Sequence, residues 1–234
     1  LIIKYLGIRE PFKKILEKMA ASVEDHPTQI IDLGGAVRYD LEYFINGMDL
    51  QAETIILSNR RIELNDLLGS LEGELLQRYN QSILYRTSPL DINIELYRGW
   101  AGATGKLLTA FSPKGVNWIN SKDVAKACLI SKEDIRSRAG KAFELTGPKT
   151  ISMEELKNIF ESDLEMTIDM QCKSKKEITD ILMQNKMPFD VIEWLVDFQE
   201  QSSDIRLAPA TTILEKIIGQ KPQVAQLFKN KELA

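Results

Sequence analysis

Histidine and cysteine are almost missing from this chain: its 234 residues include one histidine, His26, and two cysteines, Cys128 and Cys172. Two cysteines exclude a disulfide framework, and with a lone histidine they exclude a zinc site of the Cys/His type. Only His26 is left for a Ser-His or Cys-His pair, and its place beside Pro27 reads as a solvated loop histidine. The acidic group Asp32, Asp40 and Glu42 has no metal-ligand spacing, so no metal is expected. Basic excess is missing too, because 30 Lys and Arg stand against 34 Asp and Glu for a formal charge of −4. A surface that neutralises many phosphates needs the opposite balance, which argues against a nucleic-acid partner. No run approaches the roughly 18 apolar residues of a membrane span, and no signal-peptide pattern opens the chain. With 44% hydrophobic and 27% charged residues, the composition is that of an ordinary globular protein, expected to be soluble and cytoplasmic. The chain begins on Leu1 rather than Met, which implies a processed chain or a fragment.

What is present is an alternation of apolar runs and amphipathic stretches. Leu1 to Leu6 reads as a strand or buried turn. Pro11 suits a helix's first turn, and Phe12, Ile15, Leu16 and Met19 follow at helical spacing until His26-Pro27. Thr28–Leu33, Thr54–Ser58 and Ser82–Arg86 are compact apolar runs, the pattern of parallel strands buried on both faces. Leu41, Phe44 and Ile45 predict one intervening helix, and Leu67 to Tyr79 another. Ser121 is placed as an N-cap for a helix through Cys128, and Ala142–Thr146 as a last strand. Beyond Gly147-Pro148 helices follow one another, with Ser152/Glu155, Ser174/Glu177 and Thr212/Glu215 spaced as capping boxes. The expected architecture is α/β: a Rossmann-like parallel sheet, N-terminally incomplete, over residues 1–150, and a smaller, mainly helical C-terminal lobe over 151–234.

Two glycine features compete as ligand sites. Gly99-Trp100-Ala101-Gly102-Ala103-Thr104-Gly105 is a formal GxxGxxG, but a dinucleotide fingerprint needs a buried strand directly before it and a helix directly after. Glu95 and Arg98 interrupt the first, and Pro113 cuts short the second, so the run reads as a flexible loop. Gly34-Gly35 has the better position, at the carboxyl end of a strand. Ser58 ends the next strand and Arg86-Thr87-Ser88 the one after, which together form a polar rim suited to a nucleotide. Cys128, Trp118, Trp194 and Phe198 read as packing residues, and the Lys173, Lys175, Lys176 run as a solvated helix start.

In order along the chain, several segments resemble the NmrA-like group of atypical short-chain dehydrogenases/reductases. Val116-Asn117-Trp118-Ile119-Asn120-Ser121-Lys122-Asp123-Val124-Ala125 is similar to that family's v-x-W-I-x-x-x-D-V-A. Ala142-Phe143-Glu144-Leu145-Thr146-Gly147-Pro148 with Ser152 and Glu155-Leu156 is similar to its Y-x-L-T-G-P and S-x-x-E-L elements. Ile55–Ser58, Ser82–Pro89 with Asn93, Met187-Pro188 and Ile217–Pro222 match further pieces, and the resemblance covers about four fifths of the chain. It implies an NAD(P)-binding oxidoreductase for a small carbonyl or quinone-like substrate. Gly34, Gly35, Ser58, Arg86, Thr87 and Ser88 would border the cofactor, with Asn93 on the substrate side. The departures point to an alternative, a non-catalytic regulatory or scaffold relative. The family's T-G-A-T-G-x-x-G loop has no counterpart, no tyrosine has a lysine four positions on, and Leu67–Tyr79 contains no lysine, so no catalytic residue is assigned. Gln29–Gly35 corresponds to the family's fourth strand, which leaves a sheet edge to be covered by residues 1–27 or by a partner subunit.

Overall fold

The apolar runs form strands where their spacing places them. A computed structural model describes residues 1–5, 10–33, 42, 45–59, 67–111, 114–186, 189, 192, 196, 199 and 210–224. Its strands are β1 (Ile2–Tyr5), β2 (Gln29–Asp32), β3 (Thr54–Asn59), β4 (Ser82–Thr87), β5 (Lys106–Thr109), β6 (Ala142–Leu145) and β7 (Asp169–Cys172). The helices are α1 (Glu10–Ala20), α2 (Leu67–Arg78), α3 (Ile94–Thr104), α4 (Ser121–Cys128), α5 (Lys132–Ser137), α6 (Met153–Leu164), α7 (Lys175–Gln184) and α8 (Ile213–Ile218). The predicted helix at Leu41 and Phe44, the glycines Gly34 and Gly35, Met187-Pro188, Trp194 and Phe198 lie outside the described residues.

Five strands form one all-parallel sheet in the order β1-β2-β3-β4-β6. The edge that the sequence left open beside Gln29 is taken by residues 2–5, with Ile3 paired to Ile30 and Tyr5 to Asp32. Ile31, Leu33, Ile56 and Leu84 lie on one sheet face and pack with Leu71 and Leu75 of α2, Tyr79 and Met48. Tyr85 is one residue on from Leu84 and so faces the other way, where it lies near Cys128 of α4. Helix α1, with Phe12 and Leu16 fully buried, packs against α4 on that second face. The connection β1–α1–β2 therefore crosses one face, whereas β2–β3, through Met48, and β3–α2–β4 cross the other. All three advance in the same direction across the sheet, so the first has the opposite hand. Parallel crossovers are right-handed in about 98% of cases, which makes β1–α1–β2 the left-handed exception.

The chain divides into two units. One holds Leu1–Ser88, Ser121–Thr146 and Thr211–Pro222, and so contains the sheet with α1, α2, α4, α5 and α8; the other holds Pro89–Asn120, Gly147–Ala210 and Gln223–Ala234. The second unit is mainly helical but also contains a two-stranded parallel sheet, β5–β7. Strand β7 does alternate, Asp169 and Gln171 against Met170 and Cys172, but it is only four residues long. Its core centres on Trp118, whose ring meets Phe111 at 5.7 Å and Tyr97 at 6.5 Å in edge-on contacts. Such contacts add about 1 kcal/mol each beyond their buried area.

Several local expectations change. Gly99 and Gly102 lie inside α3, Gly102 against Leu164, and Gly105 caps that helix with φ 69°. The GxxGxxG is thus a helix with a glycine stop rather than a loop, and strand β5 follows it. Helix α4 begins at Ser121 itself, which puts Ser121 in the first turn. Ser174 and Glu177 form a full capping box, and Ser152 accepts from the Glu155 amide, but Thr212 makes no side-chain cap.

At the amino ends of β2 and β3, buried Glu53 accepts hydrogen bonds from Thr28 and Arg136. Burial pushes its carboxyl up, but its own amide, Arg136 and Thr28 outweigh this and hold it below the ordinary carboxylate range. A depressed carboxyl stabilises the fold above the unfolded-state pKa and loses that contribution as pH falls through its folded value. Glu53→Gln is therefore expected to lower stability at pH 7 by about 1.5 kcal/mol. In urea melts the difference from wild type should shrink steadily below the ordinary Glu value of about 4.3; a gap constant from pH 7 to 3 would contradict the assignment.

Candidate functional site

In open parallel sheets the reactive surface lies beyond the carboxyl ends of the strands, where successive connections leave for opposite faces. A reversal of strand order usually produces that divergence. Here the order is sequential, yet the left-handed first crossover has the same effect. The connection after β1 leads to α1 on one face, and the connection after β2 leads to Met48 on the other. The fork lies between the ends of β1 and β2, at Tyr5 and Leu33, immediately before Gly34.

The strand ends beside it carry small polar residues. Ser58 is opposite Arg86 in the β3–β4 register, and Thr87 is opposite Leu145 in β4–β6. Ser58, Thr87, Ser88 and Thr146 are all buried, as is Asp32. Thr87 Oγ1 donates to the Ser58 carbonyl at 3.3 Å, and the Ser88 amide donates to the Leu145 carbonyl at 2.9 Å. Thr146 Oγ1 accepts from the Thr211 amide at 2.7 Å, and Thr211 Oγ1 donates to the Glu144 carbonyl at 3.1 Å. These polar groups tie neighbouring strand ends into one rim. Thr146 and Thr211 are additions to the rim that strand-end reading did not include; Thr146 closes the predicted last strand and Thr211 has no local signal.

Arg86 has a different setting from the other rim residues. It alternates with Leu84 and so faces α2, where its Nε and Nη2 bond Glu72 Oε2 at 2.9 and 2.8 Å and its Nη1 lies 3.4 Å from Glu144. Glu72 is almost fully buried. The guanidinium thus anchors β4 to α2 and β6. Asn93 belongs to the second unit, at the end of a single 3-10 turn (Asp91–Asn93), where its amide donates to the Leu90 carbonyl. His26 stands before the amino end of β2, remote from the strand carboxyl ends, and its Nδ1 donates to the Pro27 carbonyl at 2.8 Å. Cys128 is buried in α4 and Cys172 exposed at the end of β7. Among the described residues no acidic, His or Cys group is arranged to hold a metal, and no helix is long and apolar enough to cross a membrane.

No family model matches the sequence, and no curated protein matches it closely enough to count. Solved structures do resemble the fold. An NADPH-dependent quinone oxidoreductase from Escherichia coli, complexed with NADPH, is similar over 96% of this chain and 97% of its own, at 12% identity and a TM-score of 0.66. A triphenylmethane reductase from Citrobacter sp., complexed with NADP(H), covers 94% of this chain and 81% of its own at 13% identity and a TM-score of 0.61. A nucleoside-diphosphate-sugar epimerase from Staphylococcus aureus covers 92% and 79% at 14% identity and a TM-score of 0.62. At these identities the likeness establishes the fold: a Rossmann-like α/β sheet flanked by helices.

Proposed function

We propose that this protein is an NAD(P)-binding oxidoreductase of the NmrA-like type that acts on a small carbonyl or quinone-like compound. The observation that carries the reading is the fork between β1 and β2, which preserves a ligand crevice in a sheet of sequential strand order. Gly34, Gly35, Ser58 and the Arg86–Ser88 turn border the cofactor in this proposal, Arg86 by anchoring the turn through Glu72. Asn93 stands on the substrate side. The cofactor supplies the hydride, and the protein supplies binding and orientation.

Two observations favour a second reading, a non-catalytic regulator with the same fold. Helix α1 opens on Glu10-Pro11, an unfavourable start for a phosphate, and the sequence has no tyrosine–lysine pair to move a proton. Titrating the full chain with NADPH and NADH, followed by tryptophan fluorescence and melting temperature, separates the two. The oxidoreductase reading expects dissociation constants in the micromolar range, on the order of −8 kcal/mol. No response at millimolar dinucleotide would overturn it and leave the regulator.

A further inference from the structure

Two parallel strands standing alone make a weak sheet, because parallel pairing is the less stable kind and two strands bury little. The β5–β7 pair of the second unit is such a sheet. Its register fixes which backbone groups each strand offers outward. The Asp169 amide donates to the Gly105 carbonyl and the Lys173 amide to the Thr109 carbonyl, both at 2.9 Å. Backbone groups alternate in direction along a strand, so Asp169, Gln171 and Lys173 bond toward β5, whereas Met170 and Cys172 turn their amides and carbonyls to the other side. The outer side of β5 is capped, since the Ala110 amide donates to Gln199 Oε1 at 2.6 Å. Among the described residues nothing bonds the outward amides and carbonyls of Met170 and Cys172.

This edge is accessible as well as unpaired. Asp169 and Cys172 are exposed and Gln171 is half-buried, while Met170 packs on the core of the unit. Side chains alternate too, so Asp169, Gln171 and Lys173 share one face of the sheet. An antiparallel copy of the strand can bond this edge only where outward groups meet outward groups. A two-fold axis at Gln171 satisfies that condition within the four residues of β7. Met170 then exchanges two hydrogen bonds with Cys172 of the second copy, and the symmetry repeats them. Gln171 meets Gln171, and Asp169 meets Lys173 twice, opposite charges in the closer, non-hydrogen-bonded positions. In the single chain these two side chains make surface contacts that pairing can replace: Asp169 accepts from Gln171 Nε2 at 2.5 Å, and Lys173 lies 4.0 Å from Glu177. Other axes fit less well. At Met170 the axis sets Asp169 against Gln171, and at Cys172 it needs the amide of Ser174, which caps α7 and already donates to Glu177.

We infer that β7 is a homotypic interface, at which two copies of this chain pair antiparallel about Gln171 into one continuous sheet β5–β7–β7–β5. So short a pairing buries less than a standard interface, and the dimer is weak and concentration-dependent, with a dissociation constant on the order of 100 μM. The test is sedimentation equilibrium of the full chain, whose apparent mass should rise from 26.6 kDa toward that of a dimer. Asp169→Lys sets a lysine opposite Lys173 and should weaken the dimer about tenfold, and Asp169→Lys/Lys173→Asp should restore it. Oxidised Gln171→Cys/Cys172→Ser should form a cross-linked dimer, because facing residues of a non-hydrogen-bonded pair have Cα atoms about 4.5 Å apart, within disulfide reach. The Cys172 residues of wild type stand diagonally, about 7–8 Å apart, and should not cross-link. A chain still monomeric at about 1 mM, above the range expected of such an interface, would overturn the inference. So would a dimer that Asp169→Lys leaves unchanged, or one that cross-links through Cys172 and not through Gln171→Cys.

Discussion

Gly147→Ala is expected to be among the most destabilising single substitutions in this chain, at about 3 kcal/mol or more. A Cβ at Gly147 would lie 1.9 Å from the Trp118 carbonyl oxygen, a backbone atom beside a fully buried indole. Neither side can yield easily. Asn117 clamps Gly147 by donating from Nδ2 to its carbonyl at 3.1 Å and accepting from its amide at 2.7 Å, and the Ile119 amide holds the Pro89 carbonyl. In a domain of this size the loss corresponds to a fall in melting temperature of about 6–12 °C. Gly140→Ala is the comparison: a Cβ there meets nothing within 4 Å, and only its φ of 75° opposes the side chain, which costs about 1–2 kcal/mol. If calorimetry found Gly147→Ala no worse than Gly140→Ala, the close approach would not be limiting.

The second large effect is expected at Arg86. Arg86→Met removes the cation bonded to Glu72 and leaves that carboxylate on the buried face of α2, a loss of about 3–4 kcal/mol. Most of it should return in the double variant Arg86→Met/Glu72→Leu, because exchanging a whole buried pair for apolar residues of similar size is close to neutral. Urea unfolding of both single variants and the double would give the coupling between the two sites. Independent, additive losses would mean that the pair does not act as a unit.

The strands of the main sheet were legible because each is a short apolar run with small or polar residues at its end. The register matches this: Ile30, Ile55 and Ile83 align across three neighbours, as do Ile31, Ile56 and Leu84. The family-like segments also prove to be physically linked. Val116 and Ile151 exchange both backbone hydrogen bonds, and Asn117 grips Gly147, so the Trp-Ile and Thr-Gly-Pro elements are two sides of one junction. Other features left weaker signals. The glycines of α3 have loop composition, and only the packing of Gly102 on Leu164 shows why a helix tolerates them. The setting of Arg86 depends on Glu72 and Glu144, which lie 14 and 58 residues away, beyond any local pattern. The hand of the first crossover is invisible in sequence, because it concerns which face a helix covers.

The interval between β4 and β6 contains the segment Pro89–Asn120 of the other unit, and that stretch of chain is more than twice as long as the one joining β3 to β4. Closure entropy grows only with the logarithm of loop length, so each doubling costs about 0.6 kcal/mol. The sheet's equilibrium stability is thus nearly indifferent to so large an insertion, but its order of assembly need not be. Strands β1 to β4 join through neighbouring pairs with short connections, whereas β6 must wait for a long loop to close. Refolding followed by pulse-labelled hydrogen exchange would then protect the amides of β2 and β3 first and those of β6 last.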